Sequence, residues 1–321
     1  MAADRTRDVA APPVTIALRA LDRPPRGDLI LIAVAVVMLS TSGPLIRGAA
    51  GGAPAMSIAM WRNALASLVI VPFALVTHQA ELRALPRRDW LLCVGAGLVL
   101  AAHFATWVPS ISFTTVASAA ALVATQPVWA TLIARFRGEH VGRAGWTGIV
   151  VAVVGAGVLS GVDFGVSGRA VWGDVLAIAG GILAGAYVAI GGTIRQRVST
   201  TVYTGICYST AALTLLVICA VGRQPMSGYR NNTWLAIIAL TVGAQLFGHT
   251  VFNHVLKTTS PTFVSLSILF EVAGSALLAG IFFDEWPSVA AFPAAALIVG
   301  GIVLVVRAGN RPDVSGVPVL E

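Results

Sequence analysis

One carboxylate, Glu271, stands in the middle of a long apolar run, with Ser267 and Ser275 four residues to either side. In a hydrocarbon interior a charged, unpaired carboxylate costs several kcal/mol, so an acid at that depth is a functional candidate by default. Three chemistries are open to it: taking up and releasing a proton, binding a cationic amine, or pairing with Arg62 or a histidine. Three more polar groups fall on one face of a single apolar helix, His103, Trp107 and Ser110, at i, i+4 and i+7. An imidazole binds a carboxylate or changes charge near neutral pH, and an indole offers a flat face to a ring or a cation; the alternative is a histidine bonded across helices for structure alone. Gln245, His249 and Asn253 form a second stripe at i, i+4 and i+8, facing either a cavity or a partner helix through interhelical hydrogen bonds. Arg62 lies about eight residues from the end of its own apolar run. It either snorkels to the interface or holds a substrate carboxylate. Ser118, Gln126 and Tyr187 complete the set of expected cavity-lining residues.

Such residues need elements to position them. The chain of 321 residues is 57% hydrophobic and 11% charged, with mean hydropathy +0.84; a soluble domain carries about twice that share of charge. The apolar runs are about 18–24 residues long, the length that crosses a bilayer as a helix. They are continuous rather than alternating, which selects helices over a barrel. Ten spans are expected, at about 28–46, 54–77, 88–108, 114–135, 143–160, 172–192, 201–221, 232–255, 261–282 and 288–307. Pro127 should bend the fourth of them. The fold class expected is an all-α integral membrane protein with ten transmembrane helices.

Basic residues report orientation. With the N-terminus inside, sixteen of the 21 Lys and Arg residues fall on the inner side and four, Arg47, Arg169, Arg223 and Arg230, on the outer. The positive-inside rule therefore puts both termini in the cytoplasm and the chain in the cell membrane as a multi-pass protein. The net charge of +7 reflects this topology and calls for no nucleic-acid partner.

The chain also repeats. Gly27-Asp28-Leu29, His103, Glu139 and Gly155 recur as Gly173-Asp174-Val175, His249, Glu285 and Gly301, each 146 residues on. Five helices per copy is an odd number, so the second copy enters the membrane inverted. The loop at Glu139 is basic, and its counterpart at Glu285 carries Asp284 and no basic residue. The expected units are a basic tail over 1–27, repeats over 28–160 and 161–307, and a cytoplasmic tail over 308–321. Inverted repeats are the architecture of secondary transporters, which bind substrate near the midplane between the halves.

The stretch HFATWVPSISFTTVASAAALVATQPVW, the Gly138-Glu139 step after it and the glycine-bearing helix at Gly155 and Gly157 resemble the EamA branch of the drug/metabolite transporter superfamily. Ser260-Pro261, Leu269-Phe270-Glu271-Val272, Asp284-Glu285 and Gly300-Gly301 echo it in the second half, as does Gly185-Ala186-Tyr187. The likeness covers residues 28–307. It departs at Ser42-Gly43-Pro44, where a Trp-Gly pair is usual, and at Val272, where proline is frequent. The resemblance implies a ten-helix carrier, commonly an exporter of amino acids or other small metabolites.

Catalytic and energising motifs are missing from this reading. There is no phosphate-binding loop, no acid pair with a nucleophile, and no His/Cys spacing for a metal; neither an enzyme nor a bound cofactor is expected. Cys93, Cys207 and Cys219 lie in apolar runs, and Cys207 and Cys219 are roughly 18 Å apart on one helix, so no disulfide framework arises. The expected function is secondary active export of an amino acid or related amphipathic compound by proton-linked alternating access. An uncoupled facilitator, exchanger or importer of an amine, purine or vitamin is the alternative, and a non-transport scaffold a third. The expected partners are the small molecule, the bilayer, protons under coupling, and at most a second copy of the chain as a homodimer.

Overall fold

Apolar runs of this length must satisfy their own backbone in lipid, and the chain does so with helices. The computed structural model describes residues 26–138, 141–195, 197–255 and 267–309, and among them no strand occurs. In chain order the helices are α1 (Arg26–Ser40), α2 (Ser42–Ala50), α3 (Ala55–Thr77), α4 (Gln79–Ala84), α5 (Arg87–Ser110), α6 (Val116–Val123), α7 (Gln126–Phe136), α8 (Arg143–Val166), α9 (Gly168–Ile194), α10 (Thr200–Val221) and α11 (Asn231–Leu240). A π-helical segment (Thr241–His249), α12 (Thr250–Val255), α13 (Phe270–Phe283) and α14 (Ala291–Gly309) follow. Eight helical segments among the described residues are long and apolar enough to cross a membrane. The expected eighth span is the segmented run α11–α12, and the expected ninth contains the shorter apolar helix α13. The basic tail before residue 26, Glu139, Ser260-Pro261 and the tail beyond residue 309 lie outside the described residues.

Several spans are broken, and the breaks have local causes. Between α1 and α2 the hydroxyls of Ser40 and Thr41 turn back onto Val36 O (2.8 Å) and Met38 O (2.6 Å), a habit that bends helices. Pro44 has no N–H to give Ser40 O. That carbonyl is taken instead by Ser275 Oγ of α13 at 2.9 Å, which ties the two helices together at the break. Pro127 marks a break in the fourth span, Val116–Phe136. It sits at the start of α7, after a full interruption at Ala124–Thr125, where Thr125 Oγ1 donates to Leu122 O at 2.6 Å. A further turn at Leu269 precedes α13. The two interruptions fall near one another in the repeat without coinciding: Leu269 is equivalent to Val123, the residue just before the break at Ala124–Thr125.

Close approach of helices depends on glycine. α8 packs along α14, and α5 lies between α9 and α10. Gly155 and Gly301 are contact points, whereas a side chain on Gly157 or Gly300 would meet nothing within 4 Å. A methyl group on Gly301 would collide with Ala152 N and come within 2.6 Å of Gly148 O. Neither is a side chain that can turn away. Gly301→Ala should therefore lower stability by about 1–3 kcal/mol, the usual cost of overpacking, read as an earlier thermal unfolding midpoint in detergent. An unchanged midpoint would mean the α8–α14 contact is looser than it looks. The three cysteines are buried and unpaired.

Candidate functional site

A cavity of about 70 Å³ lies where the broken helices meet. α1 and α2 give it Leu39 and Ser42, α5 gives His103, Phe104 and Trp107, and α6 and α7 give Ala120, Val123, Ala124 and Gln126. The π-helical segment contributes His249, and the α13 region contributes Ile268, Glu271 and Val272. Of the residues expected from sequence, His103, Trp107, Gln126, His249 and Glu271 come together here. Ligand sites for drug-sized molecules run to about 300–1,000 Å³, so the two sides must part before a metabolite fits.

His103 is fixed by geometry. Its Nδ1 donates to Gly180 O of α9 at 2.9 Å. That short reach exists because Gly180 lies directly against Trp107, where a methyl group would stand 3.0 Å from Trp107 Cβ. The imidazole stacks on the Trp107 indole, centroids 5.7 Å apart and planes at 14°. Glu271 occupies the first turn of α13, so its carboxyl faces the positive end of that helix's dipole, which favours negative charge by about 0.3–1 kcal/mol. Sequence periodicity treats the span as continuous and misses this placement.

Arg62 does not snorkel. It is 1% exposed, and its Nε donates to Gln245 Oε1 at 2.6 Å. Gln245 Nε2 donates to Asn63 Oδ1 at 3.2 Å, and Asn63 Nδ2 to Ala59 O at 2.8 Å. The guanidinium carbon lies 4.4 Å from the Phe104 ring centroid and 5.8 Å from that of Trp107. Gln245 thus faces α3 rather than the cavity. The expected stripe of Gln245 and His249 divides between two neighbours within a π-helical segment, Gln245 bonding to α3 and His249 bordering the cavity. The Asn253 side chain lies outside the described residues.

Two expected lining residues are elsewhere. Ser118 helps cap α6: its N–H donates to Thr115 Oγ1 and its Oγ accepts from that hydroxyl, both at 3.0 Å. Tyr187 stacks on Tyr203 at 5.8 Å in the packing between α9 and α10. The sequence reading passed over Asn63, Phe104, Leu39 and Ser42. An Arg-Asn pair inside an apolar run was the available signal for Asn63.

A second constellation closes one end of the bundle. Arg47 donates through Nε (3.1 Å) and Nη2 (2.8 Å) to the two oxygens of Glu285. The same Nη2 reaches Thr114 O at 3.1 Å, and the Val116 N–H at the start of α6 donates to Glu285 Oε1 at 2.9 Å. The sequence reading gave Glu285 only the role of a topology marker. In fact it joins α2, α6 and the segment after α13.

The model of the EamA-like transporter family matches residues 27–161 and again 171–307. The chain belongs to the EamA-like transporter family. Two similar relatives are the pseudopaline exporters CntI of Pseudomonas aeruginosa strains PAO1 and UCBPP-PA14, each 26% identical over 282 residues, which is 88% of this chain and 94% of theirs. A solved crystal structure superposes with a TM-score of 0.61 at 22% identity, covering 89% of this chain and 99% of that one; at that identity the likeness speaks for the fold. This family member is a multi-pass membrane transporter.

Proposed function

We propose that the protein exports a small amphipathic metabolite, an amino acid or a relative of one, by proton-linked alternating access. The observation that carries this reading is the gathering of one carboxyl, two imidazoles and an indole around a central cavity at the junction of broken helices. Transporters place substrate and coupling-ion sites at such interruptions, in corresponding positions of their two halves. The breaks at Ala124–Thr125 and Leu269 lie within two residues of equivalence. The halves are residues 28–160 and 161–307, inverted relative to one another, with cytoplasmic tails over 1–27 and 308–321. The basic-residue bias puts both termini inside the cell membrane and the Arg47–Glu285 clamp at the outer end. The similarity to two pseudopaline exporters favours outward movement.

In this state the clamp holds the outer end shut over a cavity too small for a metabolite. Substrate enters when the inner ends of the halves part. It leaves when the clamp breaks and the outer ends part. Glu271 alternates between carboxylate and carboxyl: a proton from outside neutralises it and releases what it held, and its loss to the cytoplasm restores the acceptor.

The test is flux in proteoliposomes loaded with a metabolite extract, with and without an imposed pH gradient. Saturable efflux that the gradient accelerates supports the reading. Equal saturable flux without a gradient, with counterflow, identifies an uncoupled exchanger; no saturable flux of any solute removes the carrier reading altogether.

A further inference from the structure

The strongest unexplained feature of the molecule is a buried cation that no ion pair neutralises; Glu271 attracts it only from across the cavity. Arg62 is fully enclosed within a membrane-spanning helix, and no carboxylate among the described residues lies within ion-pair distance of it. Charge at such depth is expensive and is found paired or lining a path. What holds Arg62 is a chain of neutral groups, Gln245, Asn63 and Ala59 O. This chain orients the guanidinium without neutralising it. Its Nη1 is buried and makes no hydrogen bond, and the Trp107 indole Nε1 is in the same condition. Buried donors normally find acceptors, and the guanidinium lies over the very ring that carries the second of them, its carbon 5.8 Å from the Trp107 centroid. Those rings, Phe104 and Trp107, also form part of the cavity wall.

We infer that Arg62 Nη1 and Trp107 Nε1 form the anion-binding end of the central cavity, uncovered when the cavity opens, and that the carried molecule is a small zwitterion whose carboxylate docks there while its ammonium faces Glu271. The inference rests on the carrier reading above and narrows its substrate class. The charges argue for a zwitterion over its relatives. An amine without a carboxylate leaves both donors unused. An acid without an ammonium is drawn to Arg62 but confronts the Glu271 carboxylate. A molecule bearing both groups satisfies the two ends at once, and guanidinium is suited to carboxylate because its N–H groups match it in pairs. Leu39, Val123, Ile268 and Val272 supply apolar wall between the ends, which suits an aliphatic side chain.

The test uses the full-length protein in proteoliposomes, with four probes of similar shape: leucine, leucinamide, 3-methylbutylamine and 4-methylpentanoate. Each is measured as a competitor of leucine counterflow and as a stabiliser in thermal unfolding. Leucine should compete about ten- to hundredfold more strongly than the three probes lacking one group, the range expected for losing a charge-assisted hydrogen bond. Arg62→Gln is the obvious variant but removes a buried anchor, so Gln245→Glu is the informative one. It is isosteric and keeps the acceptor of Arg62 Nε while giving the guanidinium an internal carboxylate. Gln245→Glu gives up the donor to Asn63 Oδ1 and gains an ion pair with Arg62, so it should still unfold in one cooperative transition, yet lose the preference for leucine over leucinamide. Trp107→Phe, which keeps a ring and removes the N–H, should reduce that preference several-fold. A purely structural Arg62 predicts an unchanged preference in Gln245→Glu, and that result overturns the inference. So does a native protein that treats leucine and leucinamide alike, or one that engages none of the four while still carrying some other solute. Absence of saturable flux of any solute from a metabolite extract instead fells the carrier reading itself, and the inference with it.

Discussion

Glu271→Gln should abolish the response of transport to a pH gradient. Glutamine has nearly the shape of the acid and keeps a carbonyl acceptor, so the α13 turn and its contacts with Val272 and Ile268 survive. It cannot bind and release a proton, and it carries no charge to hold an ammonium group. Flux measured with a gradient, divided by flux without one, should fall to about unity. The remaining downhill flux should drop about tenfold, corresponding to one lost charge-assisted contact. Glu271→Asp, which keeps the chemistry and shortens the arm, should retain a gradient response. The groups facing Glu271 across the cavity are His103 from α5 and His249 from the π-helical segment, with Arg62 from α3 behind the Phe104 and Trp107 rings. Either imidazole is the competing proton carrier. If Glu271→Gln keeps its gradient response and His249→Gln loses it, coupling belongs to the histidine. If Glu271→Gln, His103→Gln and His249→Gln each keep it, proton coupling at this cavity is wrong.

The helical membrane fold was readable because lipid leaves the backbone few choices: runs of 18–24 apolar residues have to become helices. What composition could not supply was the interruptions. Glu271 reads as mid-helix by counting from Pro261, yet the turn at Leu269 makes it a first-turn residue, and no proline or glycine at Leu269 announces that turn. The π-helical segment has the same origin. Gln245 and His249 are four residues apart, the spacing of one helical face, yet Gln245 is taken by α3 and His249 borders the cavity. His103, Trp107 and Gln126 were legible as lining residues because α5 is a regular helix and Gln126 follows a proline-marked break. Ser118 and Tyr187 meet other partners for an ordinary reason: a polar side chain in an apolar run needs a partner, and Thr115 or Tyr203 serves as well as a cavity. Arg62 shows the limit from the other side. Depth in a helix permits snorkelling, but the choice was made by Gln245, 183 residues away, and no local pattern contains that.

Glu285→Gln should open the outer end of the bundle. In the closed arrangement both carboxylate oxygens of Glu285 are engaged by Arg47, and Oε1 also accepts the Val116 N–H at a helix start. The side chains are only part-exposed, 29% for Arg47 and 17% for Glu285, so water compensates poorly when the pair is broken. Truncating one partner of an enclosed, hydrogen-bonded charge pair costs about 2–5 kcal/mol. The low end, about 2 kcal/mol, suits this degree of exposure and shifts the open-to-closed ratio roughly thirtyfold. The reporter is Ser42→Cys, which lines the cavity, probed with a membrane-impermeant cationic thiol reagent applied from outside. Cys93, Cys207 and Cys219 are buried and should stay silent. Labelling of Ser42→Cys should accelerate by that factor in the Glu285→Gln background. The exchange of Arg47→Glu with Glu285→Arg restores an ion pair but offers Val116 N–H no carboxylate from the segment after α13, so labelling should recover only in part. Full recovery would mean that the ion pair alone closes the outer end and the helix start adds nothing. Acceleration from the cytoplasmic side instead would put the clamp at the inner end and reverse the orientation inferred from arginine. No acceleration from either side would reduce Arg47, Glu285 and Val116 to a local contact between helices that move together.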